Sequence, residues 1–418
     1  MKDDAQDRRG DDAQDSKGDV VRICYLAYPT SLTLQSANAI QTWTTLRELR
    51  RIAPETLALI PSKWREPSRF GEIGAVQLLR PGIGRLSRLY KTTLLYYLEH
   101  SAWAWLCLLY LVLERLRGRR YQVIYIRQIV IAAWWAGLLG RLYGARVIYE
   151  AHDWESSNPS RAKERWAVGL LHLLDRVALT RADAVVSLTQ HFLQELARIG
   201  WQPRCSAVIP DAFDAETYQP QDRQVARQAL GLAADELLVV YAGMTFAHRG
   251  LDRLVQAFAE AQLSNARLIF VGGRPREVEA LQQQAAALGL GERVSFVAPQ
   301  PQPIVARYLA AADILAIPDT VTDITASPLK LFEYMAIGRA IVTVDLPALR
   351  EVIDAEAARF VRRGSIDDLR AALVDLADDP QRRERMGRAA QAQAQQWTYR
   401  RRAERIVALA QTLAPPTR

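Results

Sequence analysis

Short apolar runs alternate with longer amphipathic stretches along most of the chain. Each run is rich in β-branched residues and bounded by polar or glycine-containing segments, which predicts buried parallel strands. These runs are Val20–Pro29, Tyr121–Arg127, Ala145–Asp153, Leu237–Gly243, Arg267–Pro275, Arg293–Pro299, Ala312–Asp319 and Ala340–Asp345, with a further strand opening Ala182–Leu196. Helical patterns follow several of them, as in Leu251–Ala261. The alternation predicts an α/β fold, and 418 residues suffice for two domains.

One of these units combines structural and chemical signals. Ser327 is a good N-cap and Pro328 suits the first helical position, so a helix should run from there to Ile337, ended by Gly338. Lys330 lies in the first turn, where a cation opposes the helix dipole unless an anion binds there. Glu333 follows on the same face. Either the two form a phosphate and sugar site, or they are a surface ion pair.

The segment SPLKLFEYMAIGRAIVTVD resembles the nucleotide-sugar-binding segment of retaining family-4 glycosyltransferases with the GT-B fold. The resemblance implies that Lys330 contacts the donor phosphates and that Glu333 holds the ribose hydroxyls. The family often carries a second glutamate, separated from this one by seven residues. Thr325 stands at that position, and Asp323 is a candidate replacement. Thr325, Asp323 and Ser327 are therefore taken as donor-binding candidates.

Two other segments extend the resemblance. YEAHD, ending at Asp153, is similar to a motif whose histidine contacts the transferred sugar, which gives His152 a catalytic role. In MTFAHRG, Arg249 matches the basic residue that meets the diphosphate, whereas Met244 replaces a further arginine. Glycines at the ends of two strands allow backbone to approach a ligand. They are Gly243, Gly272 and Gly273.

The resemblance implies two Rossmann-like, doubly wound domains that face a cleft. We expect a first, acceptor-side domain over 20–206 and a nucleotide-sugar-binding domain over 207–390, with a hinge in Val208–Pro220. Residues 391–418 are expected to form a helix that crosses back to the first domain, anchored by Trp397. Residues 1–19, which repeat DDAQD, are predicted to be a disordered tail.

The composition favours some classes of binding partner but does not identify one. A net charge of +8 and a pI near 9.5 favour polyanions, such as nucleotides or an anionic membrane face. Three widely spaced cysteines suit a reducing compartment. We expect no metal site, because there is no Asp-x-Asp pair and the five histidines are scattered. The first residues contain no apolar stretch that predicts a signal peptide.

Leu86–Arg120 is the most apolar region, with basic residues at both ends. Glu99 and His100 interrupt it and leave a run too short to span a membrane. The region is predicted to be a helix buried against the sheet. Alternatively, it docks on an anionic membrane through its aromatic residues and a basic cluster. That cluster is Arg115, Arg117, Arg119 and Arg120.

The resemblance implies a cytoplasmic, metal-independent hexosyltransferase, which moves sugar from a nucleoside diphosphate sugar to a polysaccharide or lipid-linked acceptor with retention of configuration. No cofactor beyond the donor, and no nucleic acid, is expected. The protein would work in the cytoplasm or peripherally at the inner face of the membrane. Two alternatives remain open at this point: a non-catalytic protein that binds sugar nucleotides, and a sugar-nucleotide epimerase.

Overall fold

The computed structural model describes residues 21–414, except 30, 35, 63–66, 81–93, 153, 158–166 and 321–326. Two parallel sheets, one of seven strands and one of six, form the centres of two domains. Apolar residues from strands and covering helices fill a core on each face of each sheet. The expected α/β architecture of two doubly wound domains is confirmed.

The first sheet has the strand order β3-β2-β1-β4-β5-β6-β7, with every neighbouring pair parallel. Its strands are β1 Ile23–Leu26, β2 Leu57–Ser62, β3 Val76–Leu79, β4 Val123–Ile126, β5 Arg146–Ala151, β6 Ala184–Ser187 and β7 Ser206–Val208. Its helices are α1 Ala37–Ile52, α2 Leu94–Leu116, α3 Ile129–Trp134, α4 Gly140–Tyr143, α5 Val168–Arg181 and α6 Gln190–Arg198, and a π turn, Trp135–Leu139, joins α3 to α4. Ser36 caps α1, because its hydroxyl oxygen accepts from the backbone N–H of Ala39.

The second sheet has the order β10-β9-β8-β11-β12-β13. Its strands are β8 Leu237–Ala242, β9 Ala266–Val271, β10 Val294–Val297, β11 Ile314–Ile317, β12 Ala340–Val344 and β13 Ala358–Val361. Its helices are α7 Arg223–Leu230, α8 Leu251–Glu260, α9 Pro275–Ala287, α10 Gln302–Ala311, α11 Leu329–Ile337, α12 Pro347–Arg350, α13 Ile366–Asp378 and α14 Pro380–Ala394. The strand order reverses between β8 and β11, and ligands of such sheets bind at that crevice.

The last helix, α15 Tyr399–Leu413, returns to the first domain. Its Ala403, Ile406 and Ala410 are buried in the same core as β1 and α1. The crossing begins after Trp397, whose ring lies edge-on to Phe332 with centroids 6.3 Å apart. The predicted crossing segment is thus present, although residues up to 394 still belong to α14.

The first sheet continues two residues beyond the predicted domain boundary at residue 206. β7 extends to Val208 and pairs with β6. It is a short edge strand without a long apolar run, so the hydrophobic pattern did not indicate it. The segment that follows the first sheet begins at Ile209.

The apolar region around α2 packs on the first sheet, as predicted. Trp103, Cys107 and Leu111 are fully buried. Residues 86–93 lie outside the described residues. The opposite face of the helix leaves large apolar side chains exposed: Leu98, Trp105, Leu109, Val112, Leu113 and Leu116. Within the described residues, no helix is long and apolar enough to cross a membrane.

The four arginines of the candidate membrane-binding cluster also make contacts within the protein. Arg117 and Arg119 pair with Glu114, at 2.8 and 3.3 Å. Arg115 donates to the carbonyl of Tyr143, and Arg120 donates to that of Gly144. Arg115 and Arg120 thus contact carbonyls at the end of α4. A positive charge is favourable there, because the carboxyl end of a helix carries the negative end of its dipole. These contacts do not test membrane docking, which stays a prediction.

Candidate functional site

Lys330 lies at the carboxyl edge of the second sheet, where a ligand is expected. Its Nζ is 3.8 Å from the centroid of the Tyr241 ring. The backbone of Gly243, directly after β8, is so close that a Cβ there would lie 3.0 Å from Nζ. Burial, and next the charge of Arg249, holds the pKa of Lys330 well below its usual range. A bound anion would favour its charged form.

Glu333 interacts with a tyrosine of the hinge segment. This residue is Tyr218, which is buried and whose pKa is raised by burial and next by the charge of Glu333. Among the described residues there is no ion pair between Lys330 and Glu333 within 4 Å, so a simple surface pair does not account for them. Burial raises the pKa of Glu333 to about 7, against the opposing effects of Tyr218 and Lys330.

Arg249 provides a second cation near Lys330. It ends a short 3₁₀ helix, Ala247–Arg249, between β8 and α8. Its Nε is buried and, among the described residues, has no hydrogen-bond partner. Neighbouring Arg253 and Arg363 both pair with Asp319, which leaves that carboxylate occupied. Arg249 and Lys330 thus bring positive charge to one place, and no carboxylate of the described residues is paired to either.

Two glycines after β9 allow the chain to pass close to the loop after β8. Gly272 has φ 103° and Gly273 has φ 98°, both in the region that favours glycine. A Cβ on Gly272 would lie 2.9 Å from the carbonyl oxygen of Gly243. A Cβ on Gly273 would lie 2.6 Å from Oγ1 of Thr245. The predicted glycines therefore meet at one end of the sheet, next to Lys330.

Ser327 does not cap α11. The helix has Pro328 at its N-cap position and no side-chain cap. The Ser327 hydroxyl instead accepts from the backbone N–H of Asp211 in the hinge, at 3.3 Å. The Ser327 hydroxyl oxygen accepts from the hinge and not from the first N–H groups of α11, so it does not act as the helix cap. Thr325 and Asp323 lie outside the described residues.

His152 belongs to a buried ionic cluster at the carboxyl end of β5. Its Nε2 lies 2.6 Å from Oε1 of Glu150 and 2.7 Å from a guanidinium nitrogen of Arg127. Glu150 is also approached by Arg402 of α15, at 2.5 Å. Burial alone would raise the pKa of Glu150, but Arg402 and Arg127 hold it well below its usual range. The cluster fixes the position of the His152 ring.

Asp211 connects this cluster with the second domain. It is buried, and its Oδ1 has no hydrogen-bond partner among the described residues. Burial raises its pKa, while the nearby charges of His152 and Arg402 lower it. Its backbone N–H contacts Ser327, two residues before α11. The hinge thus brings the histidine of one domain next to the helix that carries Lys330.

Sequence reasoning missed three residues of this site: Tyr218, Arg127 and Arg402. Arg127 is the last residue of the predicted strand Tyr121–Arg127, and ligands of parallel sheets bind at the carboxyl ends of strands, so it could have been found. Tyr218 and Arg402 give no local signal, because their partners are distant in the chain. No cluster of three or more potential metal ligands occurs among the described residues.

Comparison with known sequences matches both domains to glycosyltransferase families. The family described as glycosyl transferases group 1 matches residues 222–393, and the glycosyl transferase 4-like domain matches residues 39–212. D-inositol 3-phosphate glycosyltransferases are similar over 303 residues. That of Kribbella flavida is 26% identical, covering 63% of this chain and 71% of its own, and that of Nocardia farcinica is 28% identical, covering 64% and 66%.

Solved structures share the architecture at low sequence identity. Sucrose-phosphate synthase from Thermosynechococcus elongatus aligns with a TM-score of 0.73 and 19% identity, covering 94% of this chain and 99% of its own. HepE from Anabaena, solved in complex with UDP and glucose, aligns with a TM-score of 0.71 and 18% identity, covering 94% of this chain and all of its own. At this identity the likeness concerns the fold.

Proposed function

Because the chain belongs to the family-4 glycosyltransferases with the GT-B fold, we propose that it transfers a sugar from a nucleoside diphosphate sugar to a carbohydrate or lipid-linked acceptor. We further propose that the transfer retains anomeric configuration and needs neither a metal ion nor another cofactor. The observation that supports this most directly is the pair of cations, Lys330 and Arg249, at the switch point of the second sheet.

In this proposal the diphosphate lies between Lys330 and Arg249. A diphosphate brings the negative charge that this pair lacks, and the guanidinium offers geometry suited to phosphate oxygens. Gly243, Gly272 and Gly273 leave room for the donor beside them, and Glu333 accepts from the ribose hydroxyls. The complexes of HepE with UDP and UDP-glucose agree with a nucleotide-sugar donor for this fold.

Catalysis then depends on the leaving group. As the bond to the sugar breaks, negative charge grows on the departing phosphate, and fixed cations at that position lower the barrier. With retention, the acceptor attacks from the side of the leaving group, and the phosphate oxygen takes its proton. His152 would orient the sugar, because the buried cluster of Glu150, Arg127 and Arg402 fixes its ring.

Nucleotide affinity tests the donor site. Lys330→Ala and Glu333→Ala should each weaken binding of nucleoside diphosphates, since each removes a charge-assisted contact of about 1.5 to 3 kcal/mol. Isothermal titration calorimetry with a panel of diphosphates measures this directly. Glu260→Ala, an exposed glutamate of α8 in the same domain, serves as control. Unchanged nucleotide affinity in both Lys330→Ala and Glu333→Ala would contradict this assignment of the donor site.

Metal independence requires a separate measurement. Turnover of a panel of nucleotide sugars should persist in excess chelator, because Lys330, Arg249 and backbone amides face the diphosphate. Product analysis in the same assay reports the anomeric configuration and separates transfer from epimerisation. Loss of turnover that only a divalent cation restores would refute this part of the proposal.

A lipid-linked acceptor would bring the protein to a membrane surface. The exposed apolar face of α2 supports this, since Leu109, Leu113 and Leu116 are 57%, 43% and 79% exposed on one side of the helix. Flotation with anionic vesicles should fall when these three leucines are changed to serine. Equal flotation of variant and parent, or none by either, would favour a soluble acceptor.

A further inference from the structure

A second cationic site lies at the opposite end of the first domain from the hinge. The amino ends of β5, β6 and β7 border a cleft of about 320 Å³, near the lower limit for small-molecule sites. Four arginines and one aspartate are among its lining residues: Arg141, Arg146, Arg181, Arg204 and Asp183. They come from separate segments of the chain, so only the fold brings them together.

The single carboxylate of this cleft is already engaged. Asp183 accepts from Arg146 at 2.9 Å through one oxygen and from the backbone N–H of Val147 at 2.9 Å through the other. Arg141, Arg181 and Arg204 have no acidic partner among the residues that the structure describes. Three arginines without an acidic partner in the described part of the chain therefore line one cleft.

Helix ends account for only part of this arrangement. Arg141 and Arg181 lie in the last turns of α4 and α5, where cations are favourable. Arg204 belongs to neither helix and lies in the loop before β7. A common anionic ligand would account for all three arginines lining the same cleft. Guanidinium groups suit phosphate oxygens because each can donate two parallel hydrogen bonds.

We propose that this arginine cleft binds a phosphate group, at a site separate from the donor cleft. The ligand is a phosphate ester or diphosphate, either free in solution or as the headgroup of a lipid. A lipid source is compatible with the surroundings, because Leu138 and Leu142 flank Arg141 and are 41% and 60% exposed. The proposal does not depend on the donor site, since it uses none of its residues.

Titration with inorganic pyrophosphate tests the cleft. The variant Arg141→Gln/Arg181→Gln/Arg204→Gln should bind it at least about tenfold more weakly than the parent chain, as expected for lost charge-assisted contacts. A matched control, Arg276→Gln/Arg385→Gln/Arg388→Gln, removes the same charge from exposed positions of the second domain. The parent chain, the cleft variant and the control variant all carry Lys330→Ala, so that pyrophosphate binding at the donor site contributes little to the measurement.

Vesicle flotation then distinguishes the two sources of phosphate. Loss of both pyrophosphate binding and flotation with phosphatidylglycerol vesicles, in the cleft variant alone, identifies a lipid headgroup as the ligand. Loss of pyrophosphate binding with flotation unchanged identifies a soluble phosphate compound. If the parent chain binds no pyrophosphate, or the cleft variant binds it as well as the control variant, the proposal is overturned.

Discussion

Glu333 should make the empty protein less stable as the pH rises. Its pKa lies at about 7 in the folded chain, against an ordinary value of 4.5, because burial disfavours the carboxylate. At pH 4 the group is protonated in both the folded and the unfolded chain and has no effect. Between pH 4.5 and 7 the unfolded chain alone releases the proton, so folding becomes progressively less favourable. Above pH 7 the cost stays constant.

The size of this effect follows from the two pKa values. Their separation corresponds to about 3 kcal/mol at most, and partial solvent contact of Glu333 lowers the expected cost to about 1 to 3 kcal/mol. Glu333→Gln keeps the shape of the protonated side chain and removes its ionisation. The variant should match the parent at pH 4.5 and exceed its stability at pH 8.

Thermal unfolding at a series of pH values provides the assay. For a domain of this size, each kcal/mol shifts the midpoint by about 2 to 4 °C. The comparison uses the transition of the second domain, because two-domain chains need not unfold in one step. Glu260→Gln is the control and should show no such trend. A difference between parent and Glu333→Gln that is the same at pH 5 and pH 8 would refute the reasoning.

Two further predictions concern residues that hold other groups of the site in position. Arg402→Met should destabilise the chain by about 3 to 5 kcal/mol, because it leaves the buried Glu150 with less opposing charge. Urea unfolding measures this loss against Arg401→Met, a control at an exposed position. Equal stability of the two variants would contradict the prediction. Gly272→Ala should cost about 1 to 3 kcal/mol and weaken nucleotide binding, since its φ of 103° and the nearby carbonyl oppose a side chain. The control Gly169→Ala meets no atom within 4 Å, and an equally small effect at both positions would argue against close backbone approach.

The sequence predicted most of the second domain correctly, because its signals are local. The strand before Gly243, the helix that ends at Gly338 and the strand after it all follow from patterns within a few residues. Lys330 and Glu333 were found as a pair for the same reason. The location of Lys330 at the carboxyl edge of the sheet agrees with the rule for ligand sites of parallel sheets.

The missed features depend on contacts between distant segments. Tyr218 was not recognised as a neighbour of Glu333, because it belongs to the hinge, which no periodicity connects to α11. Ser327 was assigned as a cap because a cap needs only its own helix, whereas the observed bond to Asp211 requires the folded hinge. Short edge strands such as β7 and β13 gave too little apolar pattern to be recognised.

The crossing helix has a consequence for the order in which the protein can be made. The first domain is synthesised early, yet the residues that close its core and approach Glu150 lie in α15, at the other end of the chain. Translation of the intervening residues takes about 10 to 40 s at ordinary bacterial rates. During that time the nascent first domain exposes the apolar surface that Ala403, Ile406 and Ala410 later cover. Synthesis of α15, rather than completion of its own sheet, therefore sets when this domain reaches its final structure.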